Sequence, residues 1–515
     1  MLSDVVIFWF RNDLRVGDNL ALVEACASAG RLLPVYCHDP SADAPTRWGF
    51  VRRGPHRRAF LEAALGDLDA ALRARGSALL QLNGAPRAVL PALAEAVGAA
   101  VVVCEAIAAP EEEDELAALR AAGLKVKAIW QSTLLDPAAL PFAAARLPKV
   151  FTAFRQAVES AGLQPPAPLP APRTLPPWPP LDRRPRRSDA SRDLRAGRSP
   201  GVAGRDPCAG RSPGVERAEP GNRDLRRSYG GSCGAADALT VEIGEQASFP
   251  WWQPAFAGGE RAALAHLARY FAGDRPRHYK ATRNGLSGVD FSSKFSPWLA
   301  QGALSARVAL AALRRHEIEQ GPSDGSYWLW FELLWRDYFR LLHLQHGRRL
   351  YRARGLNEGA AQPAHDAVAF AAWRVGGTGH PFIDAGMREL AATGWLSNRM
   401  RQIVASYLIH DLGCDWRAGA AWFEAQLVDY DVYSNQGNWL YIAGRGTDPR
   451  GGRRFDPDRQ AAMYDADGAY RALWAEPEPR TRASAAGGSA PSRAPADTTT
   501  MPTMVVVPRA SSRIR

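Results

Sequence analysis

The first 135 residues alternate between short apolar runs and amphipathic stretches. The runs are Val5–Phe10, Leu32–Cys37, Ala78–Leu82, Ala99–Cys104 and Val126–Trp130. Between the runs, Arg58–Arg75 and Pro110–Ala122 have helical spacing, and the second opens with Pro and four acids that favour a helix N-terminus. The pattern predicts an α/β domain with a doubly wound parallel sheet over residues 1–135. Such sheets bind ligands beyond the carboxyl ends of their strands. The turn after Val5–Phe10 reads Arg11-Asn12-Asp13-Leu14-Arg15, so the GxGxxG fingerprint of ordinary dinucleotide binding is absent.

Residues 136–254 read as an interdomain connection. Within it, 164–250 is dominated by Pro, Arg, Gly and Ser, and AGRSPGV occurs at Ala196–Val202 and again at Ala209–Val215. Nothing there is periodic, which predicts a disordered linker, with a functional basic arm as the alternative. Residues 255–478 predict an all-α domain, with long helical stretches at Glu260–Ala272, Tyr327–His343 and Ile383–Leu412. Residues 479–515 read as a disordered tail.

Composition adds limits. In 515 residues, a 46% hydrophobic fraction and 16 Trp exclude a wholly disordered chain. The 64 Lys and Arg against 53 Asp and Glu leave a net charge of +11, which invites a nucleic-acid reading. That excess is local. Residues 182–228 carry 13 Arg against 7 acids and 479–515 carry 6 Arg against 1, leaving 45 basic and 45 acidic residues elsewhere. A DNA argument therefore rests on the placement of Arg336, Arg399 and Arg401, with the excess adding at most a nonspecific, salt-sensitive contribution. No stretch is long and apolar enough for a membrane span, and no basic segment precedes the first apolar run, so no secretion signal is expected. Six scattered cysteines without a CxxC pair argue against a zinc ribbon or an iron–sulfur cluster. They point to a reduced, cytoplasmic protein.

Four segments carry chemistry. Tyr279–Arg283 and Ser292-Ser293-Lys294-Phe295-Ser296 set hydroxyls and a Lys before a helix, which suits either a phosphate cradle or a plain N-cap. In the helical stretch Glu332–Tyr338, Glu332, Trp335 and Arg336 stand at i, i+3 and i+4. They suit a base beside a phosphate, or an ion pair with a core Trp. Asn398-Arg399-Met400-Arg401-Gln402, inside the stretch ending near Leu412, packs two Arg and two amides where burial demands polar partners. Asp429 and Asp431 open an acidic turn that caps a helix or approaches a metal. No third carboxylate is suitably spaced, and no metal is expected.

Together these segments resemble the flavin-binding helical domain of the photolyase/cryptochrome family. VIFWFRNDLRVGDNLAL resembles the family's opening signature, and the run from Thr378 to Asp448 resembles it almost continuously. YKATRNGLSGVDFSSKFSPWLAQG, FELLWRDYF and LPKVFTAFRQAVE resemble its cryptochrome DASH group. The resemblance spans roughly 5–160 and 255–475 and implies a two-domain photolyase-like architecture with FAD folded in a U inside the helical domain.

It also implies roles. Tyr279, Ser292, Ser293, Lys294, Phe295 and Ser296 would hold the diphosphate with Arg336 near it. Asp429 and Asp431 would face the adenosine ribose and flavin, with Arg401 paired to Asp429. Asn435 would lie beside flavin N5, and Asn398 near flavin and lesion. Trp439, Trp416 and Trp373 match an electron-relay triad running from flavin to surface, where residue type alone suggests three core aromatics. The implied substrate is a cyclobutane pyrimidine dimer flipped out of DNA, hydrogen-bonded by Glu332 and stacked on Trp335. Gln402 and Tyr441, where conventional dimer photolyases carry Met and Trp, match cryptochrome DASH and imply a preference for single-stranded DNA. The alternative is a signalling photoreceptor using the same triad. Glu105 lies near the family's acidic contact to an antenna pigment, 5,10-methenyltetrahydrofolate. Met400 stands where the family's NRGRQ has Gly and is expected to crowd the site. The expected state is a monomer.

Overall fold

A computed structural model of the chain describes residues 3–180, 246–448 and 450–475. Five parallel strands form one sheet in the order β3-β2-β1-β4-β5: β1 (Ser3–Phe10), β2 (Ala29–His38), β3 (Leu80–Asn83), β4 (Val101–Glu105) and β5 (Lys125–Ile129). The central strand is apolar throughout because both its faces are covered. Val6, Ile7, Phe8 and Phe10 have no exposure at all, each worth roughly 1.5–3 kcal/mol of burial. The edge strands alternate instead, β3 with every second residue exposed. Helices α1 (Leu20–Ser28), α2 (Pro55–Arg73), α3 (Pro86–Val97) and α4 (Pro110–Ala121) cross between the strands. The doubly wound sheet is as the apolar runs predict.

After α5 (Phe151–Ser160) the chain runs extended over residues 164–180. Part of the expected linker is therefore ordered. Asp18 N–H donates to Leu169 O, and Leu169 N–H donates to the Asp18 carboxylate, both at 2.9 Å. Leu175 N–H donates to Arg75 O, and Leu32 N–H to Pro177 O. Proline suits this path because such a strap needs few backbone donors. The rest of the linker, both AGRSPGV repeats, Cys208, Cys233 and the tail lie outside the described residues.

The second half is helical among the described residues: α6 (Glu260–Phe271), α7 (Arg275–Thr282), α8 (Ser296–Gln301), α9 (Ala306–Gln320), α10 (Asp324–His346), α11 (Ala367–Val375), α12 (Pro381–Thr393), α13 (Asn398–His410), α14 (Trp416–Gln426), α15 (Val432–Ile442), α16 (Pro457–Tyr464) and α17 (Ala469–Leu473). The expected single stretch Ile383–Leu412 is two helices. Gly394 ends α12 in the left-handed region (φ 69°), and the Ser397 hydroxyl caps α13 by accepting from Met400 N–H. Asn398 thus opens a helix instead of lying inside one.

The two halves meet through buried polar contacts. The Asp337 carboxylate of α10 accepts from Leu134 and Leu135 N–H at 3.0 and 3.1 Å. Asp18 pairs with Arg307 at 2.9 Å, and Glu260 accepts from Val16 and Gly17 N–H. Gly302 (φ 68°) lies so close to Asn12 that a Cβ there would meet its carbonyl at 1.9 Å. The 11–15 turn, empty of a glycine fingerprint, therefore serves to dock the sheet onto the helices.

Candidate functional site

A cavity of about 260 Å³ opens among α7, α8, α10, α13 and the turn before α15. It gathers Tyr279, Ser292, Ser293, Lys294, Phe295, Ser296, Glu332, Arg336, Asn398, Arg401, Asp429 and Asp431, residues from four separate sequence segments. Arg283 and Trp395 complete the polar and aromatic wall. The expected pairing of Arg401 with Asp429 is present at 2.8 Å, and the Ser296 hydroxyl donates to the same carboxylate oxygen at 2.7 Å. The other oxygen, Asp429 Oδ1, is buried without a partner.

The electrostatics are shaped by burial. Lys294 has a left-handed backbone (φ 55°), which costs energy outside glycine. That geometry turns its side chain inward, between Phe291 and Trp395, with Nζ 3.5 and 3.9 Å from the ring centroids. Burial pushes its pKa well below the ordinary value, and its Nζ has no hydrogen-bond partner. Arg336 is lowered to about 10 by burial and donates to the Ser132 and Leu299 carbonyls. Burial raises the Glu332 carboxyl, opposed by Arg283, whose guanidinium meets it at 2.6 Å. Burial also pushes the Asp431 carboxyl up, but the Arg340 and Arg336 guanidiniums outweigh it and hold it below the usual range. Asp431 meets Arg340 at 2.5 Å and caps α15 by accepting from Ser434 N–H.

Several expected residues lie elsewhere. Glu332, Trp335 and Arg336 do not share one face. At roughly 100° per residue, Trp335 points away from Arg336, and α10 becomes a wall between two cavities. Trp335 and Tyr441, 6.2 Å apart edge to face, line a second cavity of about 320 Å³ with Asp448 and Arg450. Trp335 is stacked there on Phe151 at 3.8 Å. Asn435 lies with Trp416 on a third cavity of about 450 Å³, its amide donating to Ala420 O. Gln402 is half-buried and lines neither of the first two cavities. Arg399 stands aside from the first cavity, bonded to Asn284 and lying over Tyr464.

Met400 does not crowd the cavity. It is fully buried against Gly386, where a Cβ would meet its Cε at 2.6 Å. Trp373 is not at the surface: it has no exposure, and its indole donates to Val404 O. Trp439 reaches it through Phe423, at 5.1 Å and then 6.3 Å between ring centroids, while Trp416 makes no ring contact among the described residues. Glu105 is 3% exposed on a polar gap of about 20 Å³ between the halves, too small for a pigment. Burial first, then the Asp13 charge, push its carboxyl up to about 7.

Arg340 and Trp395 were not singled out by sequence reasoning. Arg340 is one turn beyond Arg336 on α10, a spacing that signals a shared face. Trp395 follows a helix-ending glycine and carries no such signal.

The cavity's chemistry fits the diphosphate and ribose of FAD. Four serines (Ser292, Ser293, Ser296, Ser434) and four cations (Arg283, Lys294, Arg336, Arg401) face three carboxylates. The unpartnered Lys294 Nζ suits an anion, and Asp429 Oδ1 suits a hydroxyl donor. α8 is only six residues long, so side chains outweigh any helix dipole here.

Family models match twice. That of DNA photolyase covers residues 6–173, and that of the FAD binding domain of DNA photolyase covers 328–500. The chain is 41% identical to cryptochrome DASH of Gloeobacter violaceus over 92% of its length and 86% of that protein. It is 40% identical to cryptochrome DASH of Xenopus laevis over 92% and 82%. The solved structure of Synechocystis cryptochrome superimposes with a TM-score of 0.75 at 38% identity, covering 92% of this chain and 89% of that one. An α/β sheet domain, a helical FAD-binding domain and these matches over nearly the whole chain agree: it belongs to the photolyase/cryptochrome family, within its cryptochrome DASH group.

Proposed function

We propose that the protein is a blue-light-dependent flavoprotein that repairs cyclobutane pyrimidine dimers, preferentially in single-stranded DNA. The observation that carries this is the convergence of Ser292–Ser296, Arg336, Arg401 and Asp429 on one cavity fitted to FAD. Bound FAD supplies the light absorption and the electron. Lys294, Arg283 and Arg336 hold the diphosphate, and Asp429 accepts from the ribose. Trp335 and Tyr441 line the cavity assigned to the flipped dimer, where one indole and one phenol grip it less strongly than two indoles. The unpairing cost of duplex DNA, a few kcal/mol, is then harder to offset, which favours single strands. Trp439, Trp416 and Trp373, buried in one apolar cluster, carry electrons inward.

The third cavity supports a folate antenna. Tyr351 offers a face to a pterin, and Arg47 and Arg352 suit glutamate carboxylates, with Arg52 and Arg348 already paired to Glu424 and Asp114. We assign 5,10-methenyltetrahydrofolate there instead of beside Glu105. The protein acts as a cytoplasmic monomer. Among the described residues no helix is long and apolar enough to cross a membrane, and Cys26, Cys37, Cys104 and Cys414 are free.

The test illuminates reduced protein with dimer-containing oligonucleotides, single- and double-stranded. Restoration of the single strand first is expected, and restoration of neither overturns the repair reading. A signalling photoreceptor is the second reading. It is favoured by Glu332 and Trp335 already being engaged by Arg283 and Phe151. It requires light-driven flavin reduction without turnover of either oligonucleotide.

A further inference from the structure

The relay needs an exit. Trp373, Trp416 and Trp439 are 0%, 1% and 2% exposed, so none of them is open to an external reductant. The aromatic contacts do not stop at Trp373, however. Its ring stacks on Phe370 at 6.0 Å and 21°. Phe370 meets Trp48 at 6.4 Å and His365 at 5.3 Å, and Trp48 itself contacts His365 at 4.9 Å. Trp48 belongs to the segment between β2 and α2 of the sheet domain and is partly exposed. A branch also leaves Phe370 through Phe50 (6.3 Å) to the partly exposed Trp422 (5.0 Å). That branch crosses one ring more, and Arg374 lies over Trp422 at 4.7 Å in a half-buried setting, where a fixed cation opposes loss of an electron. Arg47 lies over Trp48 at 4.4 Å but is itself exposed, so water screens its charge.

Resting on the flavin reading above, we propose that Trp48, supplied by the sheet domain, is the solvent-facing electron donor that terminates the relay. One electron leaves the Trp48 indole toward Trp373 and, through Trp439, the oxidised flavin. The indole N–H proton passes to water, leaving a neutral indolyl radical. An external thiol then donates a hydrogen atom to that radical, and two such thiols end as a disulfide. Trp48 is not one of the three expected tryptophans, and it makes the sheet domain part of the photochemistry.

The experiment uses the full chain purified with its FAD. Wild type, Trp48→Phe, Trp48→Tyr, Trp422→Phe and Trp439→Phe are illuminated with blue light in the presence of dithiothreitol, and loss of the oxidised-flavin absorption is timed. FAD content and thermal melting are recorded for each, so that a packing defect is visible. Trp48→Phe should slow reduction at least tenfold with unchanged FAD content, while Trp48→Tyr, which retains an oxidisable ring, should recover part of the rate. A second readout is peptide mapping after illumination in air without thiol, where oxidised tryptophan should appear at Trp48 and disappear in Trp439→Phe. Wild-type rates in Trp48→Phe, or slowing confined to Trp422→Phe, overturn the proposal. A wild type that holds FAD but is not reduced by light overturns the relay reading itself, and with it this one.

Discussion

Replacing Arg340 by alanine tests how far the candidate site is built on one buried charge pair. Arg340 and Asp431 meet at 2.5 Å with side chains 3% and 10% exposed, and the guanidinium also lies over Tyr433 at 4.6 Å. Asp431 is held ionised against its burial by Arg340 and Arg336. Without Arg340 the carboxylate is left buried with only the more distant cation. Breaking a buried pair from one side costs about 3–5 kcal/mol. Because Arg336 keeps part of the compensation, the expected loss is about 3 kcal/mol, at the lower end of that range. The double variant Arg340→Met with Asp431→Asn leaves no lone charge and should recover at least half of the loss. The pH dependence follows from the depressed pKa. The contribution is fully present above the ordinary carboxyl value of 3.8 and is lost as pH falls through the lower folded value. Urea unfolding followed by tryptophan fluorescence at pH 7 and pH 3 measures both. A loss in Arg340→Ala below about 1 kcal/mol at pH 7, or the same loss at both pH values, would refute the reasoning.

Three further outcomes are expected. Glu389 is buried, is hydrogen-bonded by the Tyr470 hydroxyl at 2.5 Å, and has its carboxyl pushed up to about 7 by burial. The folded state thus holds this proton more tightly than the unfolded chain. Stability should fall as pH rises from 4.5 toward 7, and Glu389→Gln should flatten that slope, by up to about 1.4 kcal/mol per pH unit. Urea midpoints at pH 5, 6 and 7 decide it. Gly419→Ala would place a Cβ 2.2 Å from the Trp439 ring; a destabilisation of about 1–3 kcal/mol from overpacking is expected, read by thermal melting, with a shifted Trp439 slowing flavin photoreduction. Trp439→Phe should abolish light-driven reduction while leaving dimer repair by chemically pre-reduced protein intact. Loss of both in a protein that keeps its FAD would contradict the relay role.

Much of the architecture was legible because burial leaves a periodic trace in one dimension. Val5–Phe10 is apolar throughout since both its faces are covered, and the change to helical spacing after residue 255 marks the second domain. The chemistry-bearing segments were legible too, since Ser292–Ser296, Arg401 and Asp429 are polar where burial demands partners.

Local pattern could not settle which way each side chain faces once helices pack. Glu332, Trp335 and Arg336 look like one face, yet α10 divides two cavities, and a turn of roughly 100° per residue separates them. Met400, expected in the site, is drawn into the core by the space above Gly386. Trp373, expected at the surface, is sealed by packing with Phe370 and Phe423. By itself the sequence determined the order of elements, the two-domain plan and the family, because those depend on spacing and identity along the chain. Only the tertiary structure decided which cations surround the cavity, which acid each Arg pairs with, and which aromatic ring meets solvent. Those depend on contacts between residues hundreds of positions apart, such as Trp48 with Phe370.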